Sequence, residues 1–262
     1  MSFLVNPYQY GCDPDAVAFL SAAGITDATI TSAICTLVIS MKANGTWTKM
    51  NAIYPMVGGT AATHKFNLKN PLDSNAAFRL SFVGGWTHSS GGALPNGTNA
   101  YADSFFNPST SGSLNSHHIS YYSRSNVNLT QVEMGVYTTP SSSTIQARFT
   151  NVSYFRINSS GAYISAADTD SRALYISNRT ASNVTNGWRN STKIATGTIA
   201  STSLPNGNIY LGAWNNVPTP LSLFYSTKQC AFASIGSGLT DAEVAAFYTS
   251  IQAFQTTLSR QV

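Results

Sequence analysis

Pro205-Asn206-Gly207-Asn208-Ile209-Tyr210-Leu211-Gly212-Ala213-Trp214 joins a turn signal to a short apolar and aromatic run. Proline presets φ at the first turn position, while Asn and Gly tolerate positive φ, so Pro205-Asn206-Gly207 reads as a reversal and Ile209 to Trp214 as a strand. The same pairing recurs upstream, where Pro95-Asn96-Gly97 precedes the run Ala100 to Phe106. Further runs are Phe78 to Val83, His118 to Tyr122, Val132 to Tyr137, Thr144 to Phe149, Val152 to Ile157, Ala173 to Ser177 and Ala231 to Ile235. Gly, Pro, Asn and Ser clusters separate them, a pattern that predicts a mainly β protein of two stacked antiparallel sheets. Some of the runs are continuously apolar rather than alternating.

Outward from this region the period changes. Asp13-Pro14 reads as an N-cap with a first-turn proline, followed by Val17, Leu20 and Ala23 at helical spacing. Thr26 or Asp27 caps a second helix with the apolar face Ile30, Ile34, Leu37, Val38 and Met41, stopped at Asn44-Gly45. No Lys or Arg lies between Asp13 and Met41, which argues against a DNA-reading helix pair. At the other end, Thr240 and Glu243 match a capping box. The stripe Val244, Phe247, Tyr248, Ile251, Phe254 and Leu258 then predicts a helix docked on the body. Residues 1–57 are expected to form an extended arm and helical hairpin, and residues 58–262 the sandwich with its C-terminal helix.

The 262 residues are only 9% charged against an ordinary share of about 25%, yet 11% aromatic, which favours a folded, weakly charged chain over disorder. The net charge of +4 comes from scattered cations, so no nucleic-acid partner is expected. No apolar run reaches membrane-spanning length, and Met1 to Tyr10 lacks the pattern of a signal peptide, so neither membrane insertion nor a leader is expected. Cys12, Cys35 and Cys230 lack metal-ligand spacing. They permit at most one internal disulfide, and buried free thiols are the simpler expectation.

Several segments together resemble the concanavalin A-like (laminin G-like) sandwich proteins found among structural proteins of tailed bacteriophages. Tyr101-Ala102-Asp103-Ser104-Phe105-Phe106-Asn107-Pro108 is similar to their Tyr-x-Asp-Thr-x-Phe-Asn-Pro strand. Ser177-Asn178-Arg179-Thr180 leading to Trp188-Arg189-Asn190 is similar to their hairpin, with Ser191 in place of the usual Gly. Ile209 to Asn215, Ala231 to Gly236 and the Leu239 to Glu243 helix start follow in the family's order, and Ile53 to Gly59 resembles its lead-in. The resemblance implies a jelly-roll sandwich in a virion, a particle-surface location, other virion proteins as partners and a homo-oligomer.

Glycoside cleavage on related sandwiches needs paired carboxylates. The chain has two Glu: Glu133 stands alone and Glu243 is a capping residue, so no enzyme and no cofactor are expected. Asp168-Thr169-Asp170 reads as a solvated turn or, less simply, a calcium loop. His117 and His118 are adjacent and so face opposite sides of a strand, and His64 and His88 have no spacing that joins them to that pair. The Gly84 to Asn99 stretch reads as a long loop in which Trp86 supplies a stacking face beside His88, Asn96 and Asn99. With Trp188, these are the candidate residues for a host-surface glycan. Trp86 equally fits a core residue at a strand end, and Trp214 ends an apolar run and is expected in the core. Phe3, Tyr8 and Tyr10, in an uncharged stretch, are the candidate assembly contacts.

Overall fold

The computed structural model describes residues 11–217 and 221–262. Helix α1 (Pro14–Ala22) starts where Asp13 accepts the Asp15 amide, and α2 (Ala28–Ala43) where Asp27 accepts that of Ile30. Ala16, Phe19 and Leu20 form the buried side of α1, whereas Val17, expected there, is 50% exposed because it lies a third of a turn off that face. Cys12 and Cys35 are disulfide-bonded with Cα atoms 5.1 Å apart, correcting the free-thiol expectation for these two; Cys230 remains a buried thiol. The helical hairpin brings together two residues that sequence alone cannot pair. Reducing this bond is expected to lower stability by about 3 kcal/mol through the freed loop entropy of the unfolded chain. Thermal melts with and without reductant check this, and an unchanged midpoint would count against it.

Strands follow in chain order as β1 (Met50–Tyr54), β2 (Ser81–Val83), β3 (Trp86–Ser89), β4 (Gly92–Pro95), β5 (Tyr101–Asp103), β6 (His117–Ser123), β7 (Met134–Thr138), β8 (Ser141–Phe149) and β9 (Val152–Ser159). Then come β10 (Ile164–Ala167), β11 (Ala173–Ala181), β12 (Val184–Arg189), β13 (Thr192–Gly197), β14 (Tyr210–Leu211), β15 (Trp214–Val217), β16 (Leu221–Leu223) and β17 (Cys230–Gly236). Short helices α3 (Ala61–His64) and α4 (Pro108–Ser111) interrupt them, and α5 (Asp241–Thr257) closes the chain behind the Thr240/Glu243 capping box.

These strands form two sheets. The first has the order β13-β12-β11-β6-β17-β4-β3, with β1 also paired to β17. The second has the order β10-β9-β8-β7-β14-β5-β2, with β15 on β7 and β16 on β15. All pairings are antiparallel except β15 with β7. Between the sheets lies a core that includes Ile119, Tyr121 and Tyr175 from the first and Val136, Ile145, Phe155 and Leu211 from the second. A second core joins α1, α2 and α5 to the outer side of the first sheet through Tyr122, Leu174, Ile176 and Phe232. The first sheet is therefore covered on both sides, which explains why β6 and β17 are buried at every residue instead of alternating.

Local chemistry moves several boundaries. Phe78 to Val83 shortens to β2 because Phe78 leaves a 3-10 turn in the left-handed region, at φ 57°. Ile209 to Trp214 is two strands: Gly212 turns at φ 79° and reverses the chain, so β14 runs antiparallel to β7 and β15 parallel. The expected Gly84 to Asn99 loop is largely the β3–β4 hairpin, in which Trp86 faces Pro95. Val184–Arg189 pairs with β11, as the hairpin resemblance through Trp188 and Arg189 implies, whereas in Thr192–Gly197 Thr, Lys and Gly dilute the apolar signal of a strand.

Candidate functional site

Trp86 and His88 lie on β3 with their rings 6.3 Å apart, His88 opposite Ala93, while Asn96 and Asn99 lie beyond Pro95 at the Trp86 end of the hairpin. The Trp86 indole Nε1 donates to the carbonyls of Val83 at 3.1 Å and Tyr101 at 3.2 Å, tying the first sheet's edge to the second sheet. Its ring packs edge-on to Phe82 and lies over Gly212, where a Cβ would come within 2.8 Å of it. Trp86 is half-buried, and only the rest of its ring is free for a ligand. Asn96 Oδ1 accepts the amides of Thr98, Asn99 and Ala100, and its Nδ2 donates to Asn99 Oδ1 at 2.7 Å. Asn99 Oδ1 also accepts the Gly85 amide, so these exposed amides are spent largely on shaping the turn.

The ring nitrogens Nδ1 of His88 and His64 lie 2.9 Å apart, a contact that the 24-residue separation gave no means to foresee. One of the two must carry the shared hydrogen, and burial lowers the pKa of both. His117 faces Asn158 between the sheets, and His118 faces Ser234 and Ser237 on the helix side, the opposed directions expected for neighbours on a strand. Trp188 is 3% exposed in the helix-side core, on β12. Five strand spacings of about 4.8 Å separate β12 from β3, roughly 24 Å, so Trp188 and Trp86 do not share a site. Phe3, Tyr8 and Tyr10 lie outside the described residues.

A larger aromatic surface occupies the outer side of the second sheet, on which α1, α2 and α5 do not pack. Alternation places Tyr101 and Asp103 on this side while Ala102 enters the core, and Tyr210 likewise while Leu211 enters it. The Tyr101 and Tyr210 rings stack at 4.5 Å and 13°. Trp214 stands between Tyr137 at 5.2 Å and Phe224 at 5.7 Å. It belongs to neither core cluster, which corrects the core expectation: the reversal at Gly212 changes the strand's phase. Further along, Tyr154 lies between Phe149 and Tyr163, at 6.0 and 5.9 Å.

The carboxylates are otherwise engaged. Glu133 is fully buried against Lys228, and Glu243 caps α5 and pairs with Lys49. Asp168 accepts from Ser153 and Tyr175 and pairs with Arg189, while Asp170 pairs with Arg172, so both are held by donors. Asp103 alone has neither a cation nor a helix to cap among the described residues. It accepts the Phe105 amide and Asn208 Nδ2, and burial raises its pKa. Burial, with Asp103 and Tyr101 nearby, pushes the Tyr210 hydroxyl up to about 12. Among the described residues no group of three or more His, Cys, Asp or Glu could hold a metal, and no helix is long and apolar enough to cross a membrane.

No family profile and no curated protein matches this chain. Solved structures do. The binding domain of botulinum neurotoxin serotype D is similar with a TM-score of 0.51 at 6% identity, over 78% of this chain and 52% of that one. This chain thus spans about half of the toxin domain's length. Domain 4 of AbnA, a GH43 extracellular arabinanase from Geobacillus stearothermophilus, solved with arabinotriose, gives a TM-score of 0.47 at 12% identity, over 76% of this chain and 98% of that one. The fold shared with the toxin domain is the two-sheet antiparallel β-sandwich.

Proposed function

We propose that this chain is a non-enzymatic glycan-binding module that uses the open face of its second sheet. One observation carries the reading: helices cover one sheet, while the other turns a series of half-buried aromatic rings outward. Sugar rings pack apolar faces on such side chains while their hydroxyls take directional hydrogen bonds. Asp103 and Asn208 stand beside the Tyr101/Tyr210 stack to supply them. The toxin domain of similar fold is also a binding domain.

The wider setting follows from the sequence resemblance: the module sits on the surface of a tailed-phage particle, contacts other virion proteins and forms a homo-oligomer. In this reading residues 1–57, with Phe3, Tyr8 and Tyr10, attach it and residues 58–262 recognise the host glycan. The Cys12–Cys35 bond suits an oxidising location outside a cytosol. A purely structural role in the particle is the second reading, favoured by the edge strands β13 and β10, which end their sheets.

A glycan-array screen of the chain beside Tyr210→Ala and Trp86→Ala tests the proposal. Saturable binding is expected, weakened about tenfold by Tyr210→Ala, the equivalent of one stacking contact. A folded protein that binds no glycan would overturn the reading and leave the particle-building role.

A further inference from the structure

We infer that the β8–β9–β10 end of the open face selects acidic oligosaccharides, with Arg156 as the anion-binding residue. This inference rests on the glycan-binding reading and narrows it to a ligand class.

Arg156 is one of the few cations that no carboxylate among the described residues neutralises; Lys69, which donates to the Trp47 carbonyl and lies over its ring at 4.0 Å, is another, beside the helix-side core. Most Lys and Arg side chains form ion pairs. Arg179 and Arg260 are buried and surrounded by backbone carbonyls, and Arg124 also donates to carbonyls. Among the described residues Arg156 makes a single hydrogen bond, from Nη1 to Ser142 Oγ at 3.2 Å, and no carboxylate pairs with it. Its guanidinium is nevertheless held in place, lying 3.9 Å from the centre of the Tyr163 ring.

A guanidinium held on an aromatic ring, its Nε buried without a partner and its Nη2 making no hydrogen bond among the described residues, is prepared for a charge-assisted contact with a carboxylate or sulfate, since less side-chain entropy remains to be lost. Tyr154, two residues before Arg156 on the same side of β9, extends the aromatic surface and lies opposite Gln146. Arg148, on the neighbouring strand, also lacks a carboxylate partner and bonds only the side-chain amides of Asn126 and Asn151. It is four residues from Thr144, which faces Arg156, so roughly 13 Å of strand separates the two residues. Two cations so spaced with aromatic rings between them fit an oligosaccharide bearing repeated acidic groups better than a single sugar.

Titration calorimetry with an oligogalacturonate, its carboxyl-reduced neutral counterpart and a sulfated galactan oligosaccharide tests this, on the wild-type chain and on Arg156→Gln. At least one acidic ligand is expected to bind about tenfold or more tightly than the neutral one, with affinity falling as salt rises, and Arg156→Gln is expected to abolish the preference at an unchanged melting temperature. Preference for the galacturonate or for the sulfated ligand identifies the acidic group. Equal affinity for acidic and neutral ligands, or a preference that survives Arg156→Gln, would overturn the inference while leaving glycan binding intact. If no saccharide of any kind binds on the array, the underlying reading itself fails.

Discussion

Lowering the pH from 7.5 to 4.5 is expected to remove most of the stability of this fold. His117 and His118 are fully buried, and burial pushes each imidazole down to about 4; His64 is pushed down to about 3 by burial and then by His88 and Arg260. An imidazole in the unfolded chain titrates near about 6.5, so below that pH the unfolded chain takes up protons that the folded one refuses. Stability is then intact above about pH 7 and is lost progressively between about 6.5 and 4. At pH 4.5 each group favours unfolding by about 2 to 3 kcal/mol, and three together rival the 5 to 15 kcal/mol of an ordinary domain. Paired carboxylates such as Asp73 and Asp170, whose pKa values are lowered, add to the loss only at more acidic pH. Urea unfolding at the two pH values reads the effect, and His118→Gln, whose amide can still serve Ser234 and Ser237, should reduce it by about a third. Equal unfolding free energies at both pH values would show that these imidazoles protonate without cost.

Replacing Lys228 by methionine is expected to cost about 3 to 5 kcal/mol. Its Nζ lies 2.9 Å from Glu133 Oε1, and neither side chain is exposed at all. The same carboxylate accepts Ser226 Oγ at 3.1 Å and the Ala147 amide, so it is fixed where it is and cannot turn to solvent when its cation is lost. The double variant Glu133→Gln/Lys228→Met keeps a carbonyl oxygen for the Ala147 amide and lets its NH2 donate to the Ser226 hydroxyl instead, without a buried charge, and should recover most of the loss. A Lys228→Met protein that unfolds at the wild-type urea midpoint would contradict a net role for the pair. Either result separates the pair's charge from its packing, because methionine retains most of the lysine stem.

What sequence could and could not convey is clearest at these positions. Glu133 is isolated in the sequence because its partner arrives 95 residues later, on a segment carrying no signal of its own. The strand runs themselves were legible, since Tyr101-Ala102-Asp103 and Tyr154-Phe155-Arg156 alternate as strands do. Alternation assigns residues to two faces without saying which face another layer will cover. The glycine-rich Gly84 to Asn99 stretch therefore marks itself as an aromatic site, while nothing local marks Tyr101, Tyr210, Tyr154 and Tyr163 as facing the open side. In the same way the spacing of Cys12 and Cys35 says nothing of the hairpin that joins them, whereas Thr240 and Glu243 act within one turn and were read directly.

The position of β17 has a consequence for synthesis. This strand lies between β6 and β4 and also pairs with β1, whose partner residues Tyr54 and Ala233 are far apart in the chain. The middle of the first sheet is thus supplied by a segment that leaves the ribosome well after β4 and β6. Until it arrives, β6 and β4 present unpaired backbone edges, which invite pairing with other chains. Closure over such a sequence separation is also intrinsically slow. A nascent or prematurely terminated polypeptide ending before Cys230 would carry both edges into the cell, so recombinant yield should depend on intact translation and on chaperone supply more than the stability of the finished sandwich would suggest.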